Sequence, residues 1–160
     1  NYGVEMAFRE YEIPFERAKV GDRYVMERLV SNNWVLGGEG SGHIVCRDNT
    51  STGDGIVSAL QVLIALHETG LSLNALKKKM NKLPQKMISV TVAEKRNPMD
   101  SDVIVSAVEA SEKRFGDSGR VLLRPSGTEP VIRVMAEGED AALVDEVVAS
   151  LADVVKRVLS

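Results

Sequence analysis

The chain has 160 residues, which is enough for one ordinary domain or two small ones. Its hydrophobic fraction of 44% and charged fraction of 27% are typical of a globular protein that buries a core. The formal net charge is −3, and no apolar run approaches the roughly 20 residues of a membrane-spanning helix. We therefore expect neither a nucleic-acid partner nor a membrane partner.

The single cysteine, Cys46, cannot form an internal disulfide, which favours a reducing compartment such as the cytoplasm. It lies in the apolar run 43–46, so we expect a small buried side chain. The chain begins at Asn1 without an initiator methionine or a signal-peptide pattern. We expect that it starts within a longer protein.

Residues 1–84 form the first predicted domain, an α/β domain with a mixed sheet that is present only in part. Its first strand is predicted at 14–20. A helix follows at 23–31, and Asp22 is expected to cap it. The apolar face of this helix is predicted from the spacing of Val25, Leu29 and Val30.

Two further strands are predicted at 34–37 and 44–46, on either side of a glycine-rich turn. The next helix begins after Asp54 and ends at Gly70, and Ser72 caps a shorter helix. Asp54 also resembles half of a metal-binding loop, but a helix cap explains it more simply. The apolar stripe of the long helix consists of Ile56, Leu60, Leu63, Ile64 and His67.

Residues 85–160, which follow Pro84, form the second predicted domain. It is an α+β domain with an antiparallel sheet and two helices in the order β-α-β-β-α. The predicted elements are strands at 87–92, 121–124 and 131–137, a helix from Ser101 to Gly116, and a final helix after Asp140.

The segment between the last two predicted strands, residues 124–130, has the composition of an anion-binding loop. Arg124 offers a planar fork that pairs with phosphate, and Ser126 and Thr128 offer hydroxyl groups. Gly127 is expected to adopt a positive φ and to turn backbone amides toward the anion.

Strand alternation adds Arg133 to this candidate site. If Arg124 lies opposite Val131 in a tight hairpin, Arg133 falls on the same face of the sheet as Arg124. Two guanidinium groups on one face favour a bound anion. The alternative is an ordinary polar hairpin in which Arg133 pairs with a carboxylate, either Glu129 or Glu137.

A second candidate site is the glycine-rich segment 37–43. Its glycines allow a ligand to approach the backbone closely, so Gly38 is a candidate contact. Glu39 can accept hydrogen bonds from two vicinal hydroxyls, Ser41 can donate or accept, and His43 titrates near neutral pH. The alternative is a solvated loop with His43 packed at the start of a strand.

Together these segments resemble the α-D-phosphohexomutase family. Residues 38–43, Gly-Glu-Gly-Ser-Gly-His, are similar to its sugar-binding loop, and residues 124–130, Arg-Pro-Ser-Gly-Thr-Glu-Pro, to its phosphate-binding loop. Residues 52–56, Thr-Gly-Asp-Gly-Ile, also fit the family, as does the glycine after Lys19-Val20. The resemblance covers essentially the whole chain, with the motifs in the family's order.

The resemblance implies a phosphotransfer reaction between the 6- and 1-positions of a hexose phosphate, through a phosphoserine enzyme and a 1,6-bisphosphate. The loops are most similar to those of members that act on glucosamine phosphate, which implies glucosamine 1,6-bisphosphate as intermediate and activator. The resemblance also implies that Gly38, Glu39 and Ser41 contact the sugar and that His43 lies near the reacting atoms. The residues that it implies as phosphate contacts are Arg124, Ser126, Gly127 and Thr128.

The family's reactive serine and its Asp-rich Mg²⁺ loop belong to earlier domains, and this sequence contains neither motif. We therefore expect Mg²⁺ to bind outside this chain, and we expect the chain alone to be inactive. Two other functions remain open: a phosphomannomutase or phosphoglucomutase, and a non-catalytic module that binds phosphosugars. A homodimer of the full-length protein is a further expectation.

Overall fold

The computed structural model describes residues 1–94 and 96–160 and divides them into two compact units. One unit is Ala7–Met80, and the other combines Asn1–Met6 with Asn81–Ser160. The described residues form six α-helices and five β-strands, in two antiparallel sheets. This confirms the predicted class, an α/β segment followed by a small α+β domain. No helix within the described ranges is long and apolar enough to span a membrane.

The first half of the chain contains four helices and a short two-stranded hairpin. They are α1 (Tyr2–Glu10), α2 (Asp22–Asn32), β1 (Leu36–Gly38), β2 (Ile44–Cys46), α3 (Gly55–Thr69) and α4 (Leu73–Lys77). Strands β1 and β2 pair antiparallel, with Leu36 opposite Cys46 and Gly38 opposite Ile44. Cys46 is buried, as predicted.

Helix α2 packs directly on this hairpin. Val25 and Leu29 of α2 are buried with Val45 of β2, which is 0% exposed. A Cβ built on Gly37 would lie 2.7 Å from Cγ1 of Val25. The glycine therefore lets the helix approach β1 more closely than any other residue would allow. Val30, predicted on the same face, is 60% exposed and lies outside this contact.

Two predictions for the segment before α2 are wrong. Residues 14–20 form no strand, because no neighbouring strand supplies hydrogen bonds and Pro14 has no N–H to donate. Asp22 is the first residue of α2 rather than its cap. The cap is Gly21, with φ 129° and ψ 133°, and its lack of a side chain leaves no capping hydrogen bond.

The second unit confirms the predicted order β-α-β-β-α. Its elements are β3 (Gln85–Thr91), α5 (Asp102–Phe115), β4 (Gly119–Pro125), β5 (Val131–Gly138) and α6 (Ala141–Leu159). The strand order is β3-β5-β4, so β5 lies in the centre and pairs antiparallel with both neighbours. Asp140 caps α6 by accepting hydrogen bonds from the N–H groups of Ala142 and Leu143.

One face of this sheet forms the core with α5 and α6. Ile132, Val134 and Ala136 point into it from β5 and are 0% exposed. The side chains between them point to the opposite face. That face therefore carries the odd-numbered residues of β5, including Arg133 and Glu137.

Candidate functional site

The sheet of the second unit places two arginines directly side by side. Arg133 of β5 lies opposite Arg124 of β4 and, on its other side, opposite Ser89 of β3. Opposite residues in an antiparallel pair share a face, with Cβ atoms about 4.5–5.5 Å apart. Both guanidinium groups thus project from one face, which confirms the shared face predicted from alternation.

The predicted hairpin register, however, is wrong. Arg124 lies opposite Arg133 instead of Val131. The N–H of Ser126 donates to the carbonyl of Val131 (2.9 Å), so this pair closes the hairpin and the loop contains four residues, 127–130. The longer loop moves the register by two residues and brings the arginines closer together than predicted.

Neither arginine has a counter-ion among the described residues. Arg124 and Arg133 are half-buried, and neither takes part in an ion pair or a side-chain hydrogen bond there. Glu137 instead pairs with Arg120 at 2.6 Å and also accepts a hydrogen bond from the Asn1 amide (2.9 Å). The alternative in which Glu137 neutralises Arg133 is therefore wrong.

Like charges placed directly opposite each other on a sheet lower its stability. Partial burial strengthens the repulsion, because the effective dielectric constant is lower than in water. A bound anion would neutralise the repulsion and accept hydrogen bonds from both guanidinium groups. The electrostatics of the Arg124–Arg133 pair therefore favour an anionic ligand.

The hairpin end beside the arginine pair carries two hydroxyl groups, one buried and one exposed. Ser126 lies on the same face as Arg124, is 2% exposed, and its Oγ accepts a long hydrogen bond from the N–H of Glu129 (3.4 Å). Thr128 is exposed. The φ of Gly127 is outside the left-handed region, so the prediction of a positive φ there is wrong. The four-residue loop completes the turn without a left-handed backbone conformation at Gly127.

The glycine-rich segment of the other unit is a tight, hydrogen-bonded turn between β1 and β2. The N–H of Glu39 donates to the carbonyl of His43 (2.8 Å), and the N–H of Gly42 donates to the carbonyl of Glu39 (3.0 Å). Gly42 has φ 92°, which is strained for other residues. Ser41 lies exposed at the tip, while Gly38 is the last residue of β1.

The carboxylate of Glu39 is held in place from outside the turn. Its Oε1 accepts a hydrogen bond of 2.7 Å from the backbone N–H of Gly21. This contact fixes the orientation of the carboxylate and leaves Oε2 as an acceptor for a ligand. The sequence motif Lys19-Val20-Gly21 is thereby connected to the loop, a role that strand and helix patterns did not predict.

His43 lies directly before β2 and is half-buried, and its ring lies against Gly53. Asp54 caps α3 by accepting hydrogen bonds from the N–H groups of Ile56 (2.8 Å) and Val57 (3.0 Å), which confirms the predicted cap. Within residues 1–94 and 96–160, no group of three or more His, Cys, Asp or Glu side chains could hold a metal ion.

An arginine pair beside a hydroxyl-bearing loop is suited to bind an anion. Two family models match the chain: "Phosphoglucomutase/phosphomannomutase, alpha/beta/alpha domain III" over residues 1–83, and "Phosphoglucomutase/phosphomannomutase, C-terminal domain" over residues 87–154. The chain belongs to the phosphoglucomutase/phosphomannomutase family.

Among curated relatives, the chain is 62% identical over 156 residues to a phosphoglucosamine mutase of Hahella chejuensis and 60% identical over 157 residues to one of Marinobacter nauticus. Each match covers 98% of this chain but 35% of the relative, so the chain spans about a third of their length.

Solved structures share the fold at low sequence identity. An N-acetylphosphoglucosamine mutase of Aspergillus fumigatus, crystallised with GlcNAc-6P and magnesium, matches with a TM-score of 0.79 and 17% identity. The match covers 98% of this chain and 37% of that one. A structure of the same Aspergillus enzyme with glucose 1,6-bisphosphate gives a TM-score of 0.77.

Proposed function

We propose that this chain supplies substrate-binding loops to a phosphoglucosamine mutase, which interconverts glucosamine 6-phosphate and glucosamine 1-phosphate. The observation that carries the proposal is the pair of half-buried arginines, Arg124 and Arg133, which face each other without a counter-ion. A phosphate group fits this pair because each guanidinium can donate two parallel hydrogen bonds to its oxygens.

The relatives support the glucosamine phosphate substrate. Both of the relatives cited are named phosphoglucosamine mutase and share about three residues in five with this chain. The family model also carries the names phosphoglucomutase and phosphomannomutase, so glucose and mannose phosphates are the alternative substrates. With any of these substrates, the proposed reaction passes through the corresponding 1,6-bisphosphate, which is glucosamine 1,6-bisphosphate for glucosamine phosphate.

In this proposal the residues of the chain hold the substrate and do not carry the phosphoryl group. Arg124, Arg133, Ser126 and Thr128 bind the phosphate that is not reacting, together with the backbone at Gly127. Because the two phosphate positions exchange roles during turnover, the same site must hold the phosphate in either orientation of the sugar. Holding the second phosphate positions the sugar for transfer, and positioning is a main contribution to catalysis in phosphoryl transfer.

The glycine-rich turn is proposed to bind the hydroxyl groups of the sugar. Glu39 accepts hydrogen bonds from two neighbouring hydroxyls through the carboxylate that Gly21 orients. Ser41 and the backbone at Gly38 add contacts. His43 is proposed to lie near the reacting oxygen, where a neutral imidazole can accept its proton.

Mg²⁺ neutralises charge on a transferring phosphoryl group when it is bound in enzymes of this chemistry. The described residues of this chain do not fit such an ion, because no cluster of three acidic or histidine side chains occurs among them. We therefore assign the ion to another part of the full-length protein. The division into domains 1–84 and 85–160, the homodimer and the cytoplasmic location remain predictions from sequence.

The test is turnover by the full-length protein that carries this chain. Glucosamine, glucose and mannose 6-phosphates are each supplied with Mg²⁺ and the matching 1,6-bisphosphate, and formation of the 1-phosphate is followed by ³¹P NMR. We expect the highest kcat/KM with glucosamine 6-phosphate and no turnover by the 160-residue chain alone. Preference for glucose or mannose contradicts the substrate assignment, and phosphate binding without any turnover indicates the non-catalytic module.

A further inference from the structure

The backbone conformation at position 53 does not require a glycine. Its φ lies outside the left-handed region, so an L-residue could adopt the same conformation. Asp54, next in the chain, is explained by its cap on α3. The reason for a glycine at position 53 must therefore lie in what surrounds its missing side chain.

The atom group that occupies this space is the imidazole of His43. A Cβ built on Gly53 would lie 2.2 Å from Cε1, 2.5 Å from Nδ1 and 2.5 Å from Nε2 of that ring. The three distances are nearly equal, as they are for a point over the face of a ring rather than beyond its edge. The ring therefore lies flat on Gly53.

No hydrogen bond holds the ring among the described residues. Neither nitrogen of His43 forms a hydrogen bond with a described side chain or backbone group. Gly53, by contrast, is fixed by the residue that follows it, because Asp54 binds two N–H groups in the first turn of α3. The surface on which the imidazole rests is thus the rigid start of a 15-residue helix.

We propose that Gly53 is a positioning residue that sets the place and orientation of the His43 imidazole for the mutase reaction. The expected effect on turnover rests on the proposed function, whereas the contact between Gly53 and the His43 ring does not depend on it. Carbon atoms pack at about 3.5–4.0 Å, so a methyl group at position 53 must displace the ring by more than about 1 Å. A displacement of this size of a group near the reacting atoms reduces turnover by roughly 10²-fold.

The experiment compares Gly53→Ala with Gly55→Ala in the full-length protein. Gly55 is the matched control, because a Cβ there meets no atom within 4 Å and its φ is also outside the left-handed region. The protein is labelled with ¹³C-histidine, and the His43 resonance is assigned with His43→Ala. We expect Gly53→Ala to shift the His43 resonance and to lower kcat by about 10²-fold, and Gly55→Ala to change neither.

The double variant Gly53→Ala/His43→Ala separates positioning from a structural role. If Gly53 acts through the ring, the double variant has the kcat and the stability of His43→Ala alone, because removal of the imidazole makes room for the methyl group. This holds even where Gly53→Ala alone folds poorly. An unshifted His43 resonance in Gly53→Ala, or an equal loss of kcat or stability from Gly53→Ala with and without His43, overturns the proposal.

The same data distinguish this inference from the proposed function. If His43→Ala retains full turnover, the role of His43 in the reaction is wrong. The shift of the His43 resonance in Gly53→Ala then still decides whether Gly53 positions the ring.

Discussion

Replacing Arg133 with methionine is predicted to have opposite effects with and without phosphate. Without an anion, the substitution removes a like charge directly opposite Arg124 while it keeps a long apolar side chain. Such cross-strand charge pairs cost roughly 0.2–1 kcal/mol, so the free energy of unfolding is expected to rise by about that amount.

With phosphate, the order of stability is predicted to reverse. Removal of the Arg133 guanidinium takes away at least one charge-assisted hydrogen bond to the phosphate, which costs roughly 1.5–3 kcal/mol, and 2 kcal/mol corresponds to about a 30-fold increase in Kd. At a phosphate concentration of about 100 times the original Kd, binding stabilises the parent chain by about 2.7 kcal/mol. At the same concentration, Arg133→Met gains only about 0.9 kcal/mol.

The assay is urea denaturation of this chain, followed by circular dichroism at increasing phosphate concentration. Arg114→Met is the control, because Arg114 forms an exposed ion pair with Glu146 on the helices and its replacement should change neither curve measurably. If Arg133→Met lowers the stability without phosphate, or if phosphate stabilises both proteins equally, the reasoning about an unneutralised arginine pair is wrong.

Three further substitutions test the packing that supports the two loops. Glu137→Gln leaves Arg120 without its buried partner and should lower the stability of the second unit by about 3 kcal/mol. Gly37→Ala places a methyl group against Val25 and should cost about 1–3 kcal/mol through overpacking of the hairpin on its helix. Asp54→Ala removes two capping hydrogen bonds and should cost about 0.5–2 kcal/mol. Each value is measured by urea denaturation.

Two control variants and the fluorescence of one tryptophan complement these stability measurements. Gly40→Ala adds a methyl group that meets no atom within 4 Å, and Glu146→Gln changes an exposed ion pair, so both should leave stability unchanged. The single tryptophan, Trp34, packs against the core of the unit Ala7–Met80, so its fluorescence reports the unfolding of that unit. Equal losses for the variants and their controls would show that these contacts do not support the loops.

Local signals in the sequence predicted most helix boundaries and the class of the second unit. Asp54 and Asp140 precede apolar helices and cap them, as expected. Helix α1, Tyr2–Glu10, was not predicted, although Asn1 directly precedes it and its Oδ1 accepts a hydrogen bond from the N–H of Gly3 (3.1 Å). The strand predicted at 14–20 contains only two strand-favouring residues, Phe15 and Val20, and no neighbouring strand pairs with it.

The chemistry of the candidate sites was predictable, whereas their geometry was not. Alternation placed Arg124 and Arg133 on one face, but the register depended on a loop length that residue types do not determine. The contacts of Gly21 with Glu39 and of Gly53 with His43 join positions 18 and 10 residues apart in the chain. Such contacts leave no periodic pattern, so glycines in short motifs were the only signal.

The most direct test of the account is the response of individual guanidinium groups to ligand, measured by ¹⁵N NMR of the arginine Nε–H signals. We predict that glucosamine 6-phosphate moves the signals of Arg124 and Arg133, that unphosphorylated glucosamine does not, and that the signal of Arg120 stays in place with both. Signals of Arg124 and Arg133 that remain still while the sugar phosphate binds elsewhere on the chain would contradict the phosphate site.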